Sequence, residues 1–74
     1  DHRLDREAQV IAQLSTGKRQ IKDMVAEMYA DVDKRLHPAA CHSVLAHMIR
    51  LIELGRAGCE GPPCVDNEYW LKRA

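Results

Sequence analysis

The fold of this chain is decided by residues 38–71, which read PAACHSVLAHMIRLIELGRAGCEGPPCVDNEYWL. An apolar stripe at helical spacing covers residues 38–54, and Pro38 suits a first helical turn because its missing N–H needs no partner there. Gly55 follows at the position where a left-handed residue commonly ends a helix. A short apolar run, a Gly-Pro-Pro turn and the strand-like residues 68–71 come next. This order predicts a long helix followed by a two-stranded hairpin.

The apolar stripe of this long helix is predicted to consist of Cys41, Val44, Leu45, Met48, Leu51 and Ile52. Two shorter amphipathic helices are predicted before it. In the first, which is expected to end near Ser15, the charged residues, Glu7 among them, lie largely away from an apolar face formed by Leu4, Ala8, Ile11 and Leu14. The second is expected to span about ten residues, with an apolar stripe formed by Ile21, Met24, Val25, Met28 and Tyr29. Gln20 before it is a weak helix cap, so packing has to stabilise this helix.

Three helices followed by a hairpin predict a single winged-helix domain over residues 1–74, mainly helical with a small β-hairpin as its wing. Residues 18–20 are predicted to add a weak first strand. In the wing, Tyr69 and Leu71 are expected on one face and Trp70 on the other, because side chains alternate along a strand. The chain starts at Asp1 rather than Met, from which we expect a fragment of a longer protein.

The balance of charge weighs against strong binding to nucleic acid. Eleven Lys and Arg match eleven Asp and Glu, whereas a duplex-binding domain usually carries a basic excess. On the outer face of the long helix, Arg50 is the main candidate cation for contacting phosphate, and Glu53 would repel it. A free-standing winged helix that binds nucleic acid or acts in regulation is therefore the alternative interpretation.

The expected location follows from the absence of long apolar segments in the sequence. No apolar run approaches the roughly 20 residues that a membrane span requires, and no charged-then-apolar leader opens the chain. We expect a soluble, intracellular protein, cytoplasmic or mitochondrial, without a membrane partner.

Histidine and cysteine positions do not predict a catalytic, cofactor or metal site in this chain. Cys41, Cys59 and Cys64 are an odd number, which favours reduced thiols, with a disulfide between Cys59 and Cys64 across the wing as the alternative. His37 and Cys41 are four residues apart and could reach one metal ion, and Cys59 and Cys64 on the wing could complete a zinc cluster, but the short Cys-x-x-Cys pairs typical of zinc sites are missing. Cys41 and its neighbour His42 point in different directions on a helix, so they form no catalytic pair.

Several short strings resemble a known family. The most specific are LHPAA at residues 36–40 and LAHM at residues 45–48; the others are HR at 2–3, REAQVI at 6–11, MV at 24–25, MY at 28–29, Leu51 and GRA at 55–57. They are similar to the winged-helix domain at the C-terminus of metallo-β-lactamase-fold hydrolases of the β-lactamase-like protein 2 type, a group that includes endoribonucleases and thioesterases. The chain departs from the family at Gln20, where a capping Thr is frequent, and in the wing between Cys59 and Cys64.

The resemblance implies a function for the parent protein rather than for this segment. The parent is expected to be a zinc-dependent hydrolase whose metal ligands lie in an N-terminal domain outside this chain, acting on RNA or an acyl substrate. This domain is expected to pack beside the catalytic domain and to help position substrate, without catalysis of its own. Its expected contacts with the other domain or with substrate are His2, Arg3, Arg6, His37, His47 and Arg50. A homodimer is an open alternative.

Overall fold

A computed structural model of the protein describes residues 2–17 and 19–72. These residues form three α-helices, one 3-10 turn and two strands, which confirms the predicted winged helix. In chain order the elements are α1 (His2–Ser15), α2 (Ile21–Met28), the 3-10 turn (Lys34–Leu36), α3 (His37–Glu53), β1 (Ala57–Cys59) and β2 (Tyr69–Leu71).

α3 supplies the central face of the core, as its stripe predicts. Val44, Met48 and Leu51 are fully buried between α1, α2 and the hairpin. Ala40, one turn before Val44, is buried on the same face. The other predicted members of the stripe are half-buried and pack against the edges of the core: Cys41, Leu45 and Ile52. Burial of an aliphatic side chain of this size contributes about 1.5–3 kcal/mol, so this helix dominates the stability of the domain.

Both ends of α3 form where the sequence places them, within one residue. Pro38 lies in its first turn. Gly55 adopts a φ of 75°, its N–H donates to the Ile52 carbonyl at 3.0 Å, and the next N–H donates to the Leu51 carbonyl at 2.9 Å. These two bonds are the left-handed ending that the glycine predicts, and they satisfy carbonyls that the helix leaves unpaired.

α1 turns a different face to the core from the one predicted. Val10 and Leu14 are buried, whereas Leu4 is 59% exposed and Ala8 is exposed. The prediction that Leu4 and Ala8 face the core was therefore wrong, and so was the expectation that Glu7 lies away from it, since Glu7 is only 6% exposed. Glu7, Val10 and Leu14 are spaced by three and four, so they share a helical face as readily as the predicted set does.

α2 is shorter than predicted, with eight residues and Tyr29 as its C-cap. Gln20 makes no side-chain cap hydrogen bond, in agreement with the weak start that its type predicts. An isolated helix of this length is unstable in water, so its buried side chains have to hold it in place. They are Ile21, Met24 and Val25, all packed into the same core.

The wing is an antiparallel pair in which Ala57 faces Leu71 and Cys59 faces Tyr69. Tyr69 is fully buried and Trp70 is 39% exposed, so the predicted alternation holds for these two side chains. Leu71 is 36% exposed. Leu71, at the end of the strand, is thus less buried than Tyr69, with which it is predicted to share a face.

The predicted first strand is reduced to a single bridge. Gln20 pairs with Glu68, and the N–H of Tyr69 donates to the Arg19 carbonyl at 2.8 Å. Lys18, the first residue of the predicted strand, lies outside the described residues. This bridge ties the start of α2 to the start of β2.

Candidate interdomain surface

A groove between α1 and α3 leaves two large apolar side chains exposed to solvent. Leu4, in the first turn of α1, is 59% exposed, and Leu54, the C-cap of α3, is 56% exposed. Both line the groove, together with Ala8, Ile11 and Leu51 from the same two helices. Exposed apolar side chains that line one groove make it a candidate contact surface.

An ion pair between Glu7 and Arg50 lies in this groove and joins its two walls. Arg50 Nε donates to Glu7 Oε1 at 2.7 Å, across 43 positions of sequence. The Glu7 side chain is 8% exposed and the Arg50 side chain is 50% exposed. A carboxylate buried to this degree needs a charged partner, and Arg50 supplies one while keeping half of its surface in water.

Arg6, Tyr29 and His37 connect the three helices on another side of the domain. The Arg6 guanidinium lies over the Tyr29 ring, 4.8 Å from its centroid, and Arg6 Nη1 donates to Gln9 Oε1 at 3.1 Å. His37 Nε2 lies 3.0 Å from the Tyr29 carbonyl oxygen and 3.2 Å from that of Val32. Because carbonyl oxygens only accept, Nε2 carries the proton. The imidazole therefore fixes the start of α3 to the turn that follows α2.

The comparisons with known proteins agree with this fold. The β-lactamase-associated winged helix domain family matches residues 21–61, more than half of the 74-residue chain. The chain belongs to this family. No curated protein and no solved structure matches it. The family description associates such domains with a β-lactamase-fold domain, which confirms the resemblance stated from residues 36–40 and 45–48.

Of the six contact residues expected for this β-lactamase-associated winged helix domain, the five whose side chains the structure describes do not gather in one place. Among these five, Arg50 alone lines the groove, whereas Arg6 and His37 meet around Tyr29. Arg3 is exposed on α1 and His47 is half-buried on α3. The side chain of the sixth, His2, lies outside the described part of the chain. Their contacts with another domain or with a substrate stay predictions.

The groove contains residues that sequence reasoning did not assign to a contact surface. The sequence pattern predicts Leu4 in the core and Glu7 away from it, and it predicts Leu54 only as the last residue of the long helix. For Glu7, the signal in the sequence is its helical spacing from Val10 and Leu14, which places it on the same face as these two residues.

The described residues of this winged helix offer no metal site. In residues 2–17 and 19–72, no group of three or more His, Cys, Asp or Glu side chains is placed to hold an ion. His37, one of the residues considered for such a site, directs Nε2 at backbone carbonyls. Burial raises the pKa of the Cys41 thiol, and the negative charge of Asp66 raises it further, so Cys41 is a poor nucleophile and metal ligand.

All three cysteines are free thiols, so the disulfide alternative for Cys59 and Cys64 is not formed in this structure. Cys59 is half-buried and Cys64 is exposed. Within the described helices, none has the length and apolar character that crossing a membrane would require.

Proposed function

We propose that this winged helix is an accessory domain of a β-lactamase-fold hydrolase, that it packs against the catalytic domain through the α1–α3 groove, and that it helps to position substrate without catalysing the reaction. The family match supports the identity of the partner. The observation that carries the choice of surface is the pair Leu4 and Leu54, which are more than half exposed on opposite walls of one groove.

The chemistry of the groove suits a protein partner. Its apolar centre is bordered by Arg50 and Arg56, and stable interfaces combine an apolar centre with a polar rim in which arginine is enriched. The Arg50 charge is already compensated by Glu7, so covering this guanidinium costs less than burying an unpaired cation. Arg56, exposed at the groove, is available to pair with a carboxylate of the catalytic domain.

The zinc of such a hydrolase belongs in this proposal to the catalytic domain. The described residues contain no ligand set for it, and none of them is given a role in the hydrolytic step. The substrate, RNA or an acyl compound, is bound at that centre, and the winged helix limits its approach from one side. Packing beside the catalytic domain is thus the primary role and positioning is its consequence.

The nucleic-acid alternative finds less support in the distribution of charge. Arg50, the cation expected to contact phosphate from α3, is paired with Glu7, and Glu53 is exposed one turn further along the helix. A depression beside the wing is lined by Asp23, Glu27 and Glu68 together with Arg19. Among the described residues that line this depression, a phosphate backbone would meet more carboxylates than cations.

The first test is to read the open reading frame that encodes this chain, which we expect to encode a β-lactamase-fold domain as well. The second test is to express that domain separately and to measure its binding to the winged helix by titration calorimetry. Leu4→Glu and Leu54→Glu are each expected to weaken binding at least about tenfold, because a charge then enters an apolar contact. Leu36→Glu is the matched control, since Leu36 is 58% exposed but lies outside the groove.

Three results would contradict this proposal. The first is a reading frame without such a domain, and the second is a loss of affinity in Leu36→Glu as large as in the groove variants. The third is self-association of the chain that Leu4→Glu abolishes, which would make the groove a homodimer contact. Far-UV circular dichroism and melting curves of the variants verify that they fold, as the exposure of Leu4 and Leu54 leads us to expect.

A further inference from the structure

The wing places two cysteines around one buried tyrosine. Cys59 ends β1 directly opposite Tyr69, and residues opposite each other in an antiparallel pair project to the same face. At the far end of the Tyr69 ring, the hydroxyl accepts from the Cys64 N–H at 2.9 Å and donates to the Cys64 carbonyl at 2.6 Å. Because Tyr69 is fully buried, its side chain is fixed in place, and each cysteine lies next to one end of it.

The segment between the two cysteines is folded back rather than extended. The Cys59 thiol donates to the Gly61 carbonyl, with an S···O distance of 3.4 Å, and Gly61 has a φ of 69°. The Asn67 side-chain amide donates to the carbonyls of Glu60 at 2.6 Å and Pro62 at 3.2 Å. These bonds and the two consecutive prolines restrict the loop, which reduces the entropy lost on closing it further.

The electrostatics of Tyr69 agree with this placement. Burial raises the pKa of its phenol, and the hydrogen bond with the Cys64 backbone opposes that rise. The charges that Cys59 and Cys64 carry as thiolates raise the pKa further.

We propose that Cys59 and Cys64 form a reversible dithiol, a modification site at which a hydroperoxide produces a disulfide across the wing. This inference is independent of the function proposed for the groove. Cys64 reacts first because it is the exposed thiol, and Cys59, half-buried at the end of β1, resolves the intermediate. Cys41 stays reduced because it is partly buried on α3 and its pKa is raised.

The oxidation proceeds in two balanced steps. The Cys64 thiolate attacks the outer oxygen of the hydroperoxide, the O–O bond breaks, and the products are a sulfenic acid and an alcohol, or water when hydrogen peroxide is the oxidant. The Cys59 thiolate then attacks the sulfenic sulfur, an S–S bond forms and hydroxide leaves, to be protonated to water. The two thiols lose two protons and two electrons in total, and a dithiol reductant reverses the change.

Trypsin separates the relevant thiols cleanly, because it cuts after Arg35, Arg50, Arg56 and Lys72. Residues 57–72 then carry both wing cysteines in one peptide, and residues 36–50 carry Cys41 in another. The folded chain is treated with hydrogen peroxide, alkylated with iodoacetamide, digested and analysed by mass spectrometry. We expect peptide 57–72 to lose two hydrogen atoms and to escape alkylation, reversibly with dithiothreitol, while peptide 36–50 is alkylated.

Variants and denaturation test the roles and the geometry. In Cys59→Ser, the sulfenic acid on Cys64 is expected to accumulate and to be trapped by dimedone, whereas Cys64→Ser is expected to yield little trapped product. The folded chain is expected to form the disulfide about tenfold faster than the same chain in urea, because the fold raises the effective concentration of one thiol at the other.

Other outcomes overturn the inference. Full alkylation of peptide 57–72 after an oxidant dose that converts free glutathione would show that the pair does not form. Equal rates in water and in urea would show that the fold does not bring the thiols together. Disulfide-linked dimers as the main product would show that Cys64 reacts between molecules instead.

Discussion

Removal of the Arg50 guanidinium is expected to destabilise the domain through the carboxylate that it leaves behind. Exposed ion pairs contribute about 0.2–1 kcal/mol, whereas removal of one partner of a buried pair costs about 3–5 kcal/mol. Here Glu7 is 8% exposed and Arg50 is 50% exposed, which places the pair between these cases. We expect Arg50→Ala to lower the free energy of unfolding by about 2 kcal/mol.

A double-mutant cycle separates the pair from other effects of truncation. Glu7→Gln removes the charge but keeps an oxygen facing Arg50 Nε, so we expect a loss of about 1 kcal/mol and a coupling energy of about 1 kcal/mol between the two positions. A domain of this size is stable by roughly 4–11 kcal/mol. Arg50→Ala should therefore lower the melting temperature by about 8–16 °C.

Urea titration followed by the fluorescence of Trp70, the single tryptophan, measures these free energies. Arg56→Ala is the matched control, because Arg56 is an exposed arginine of the same groove and should cost less than about 0.5 kcal/mol. A coupling energy below about 0.3 kcal/mol would refute this reasoning, since the contact would then contribute nothing beyond the error of additivity. Arg50→Ala should also leave duplex affinity unchanged, and a tenfold loss would favour the nucleic-acid alternative.

Three further changes test other parts of the structure. Gly55→Ala places a Cβ on a residue with a φ of 75°, so urea titration should show a loss of about 1 kcal/mol, and an unchanged midpoint would contradict the left-handed ending. Tyr69→Phe removes both hydrogen bonds to the Cys64 backbone, so we expect a loss of about 1–3 kcal/mol and faster amide exchange at Cys64, with unchanged exchange as the contrary result. The side-chain hydrogen bond from Arg35 lowers the pKa of the Asp33 carboxyl from 3.8. The stabilising effect of this hydrogen bond is therefore present above pH 3.8 and is lost as the pH falls through the pKa of the folded state. An NMR titration midpoint of Asp33 at or above 3.8 would contradict this.

The long helix and the wing could be predicted because their signals are local and repeated. The α3 stripe extends over about three helical turns, and Pro38 and Gly55 mark the ends of the helix by their own backbone preferences. The strand at Tyr69 follows turn residues that exclude a continuing helix. In each case neighbouring residues decide the conformation without help from distant parts of the chain.

The face of α1 and the candidate surface could not be predicted because they depend on distant partners. Residues at helical spacing form two possible core-facing sides of α1, one that includes Leu4 and one that includes Val10. Which side is buried depends on the shape of the core. Glu7 is buried only because Arg50 reaches it from 43 positions away. The groove exists because α1 and α3 pack together, and no local pattern records that contact.

The burial of Tyr69 bears on how much of the chain is needed for folding. The segment that matches the family ends at residue 61, before Tyr69, and begins at residue 21, after Val10 and Leu14. These three side chains are nearly or fully buried against the segment from both flanks. A peptide of residues 21–61 would lack these three side chains and would expose the faces of α2 and α3 that they cover. We therefore expect the whole segment from α1 to β2 to fold and unfold as one cooperative unit.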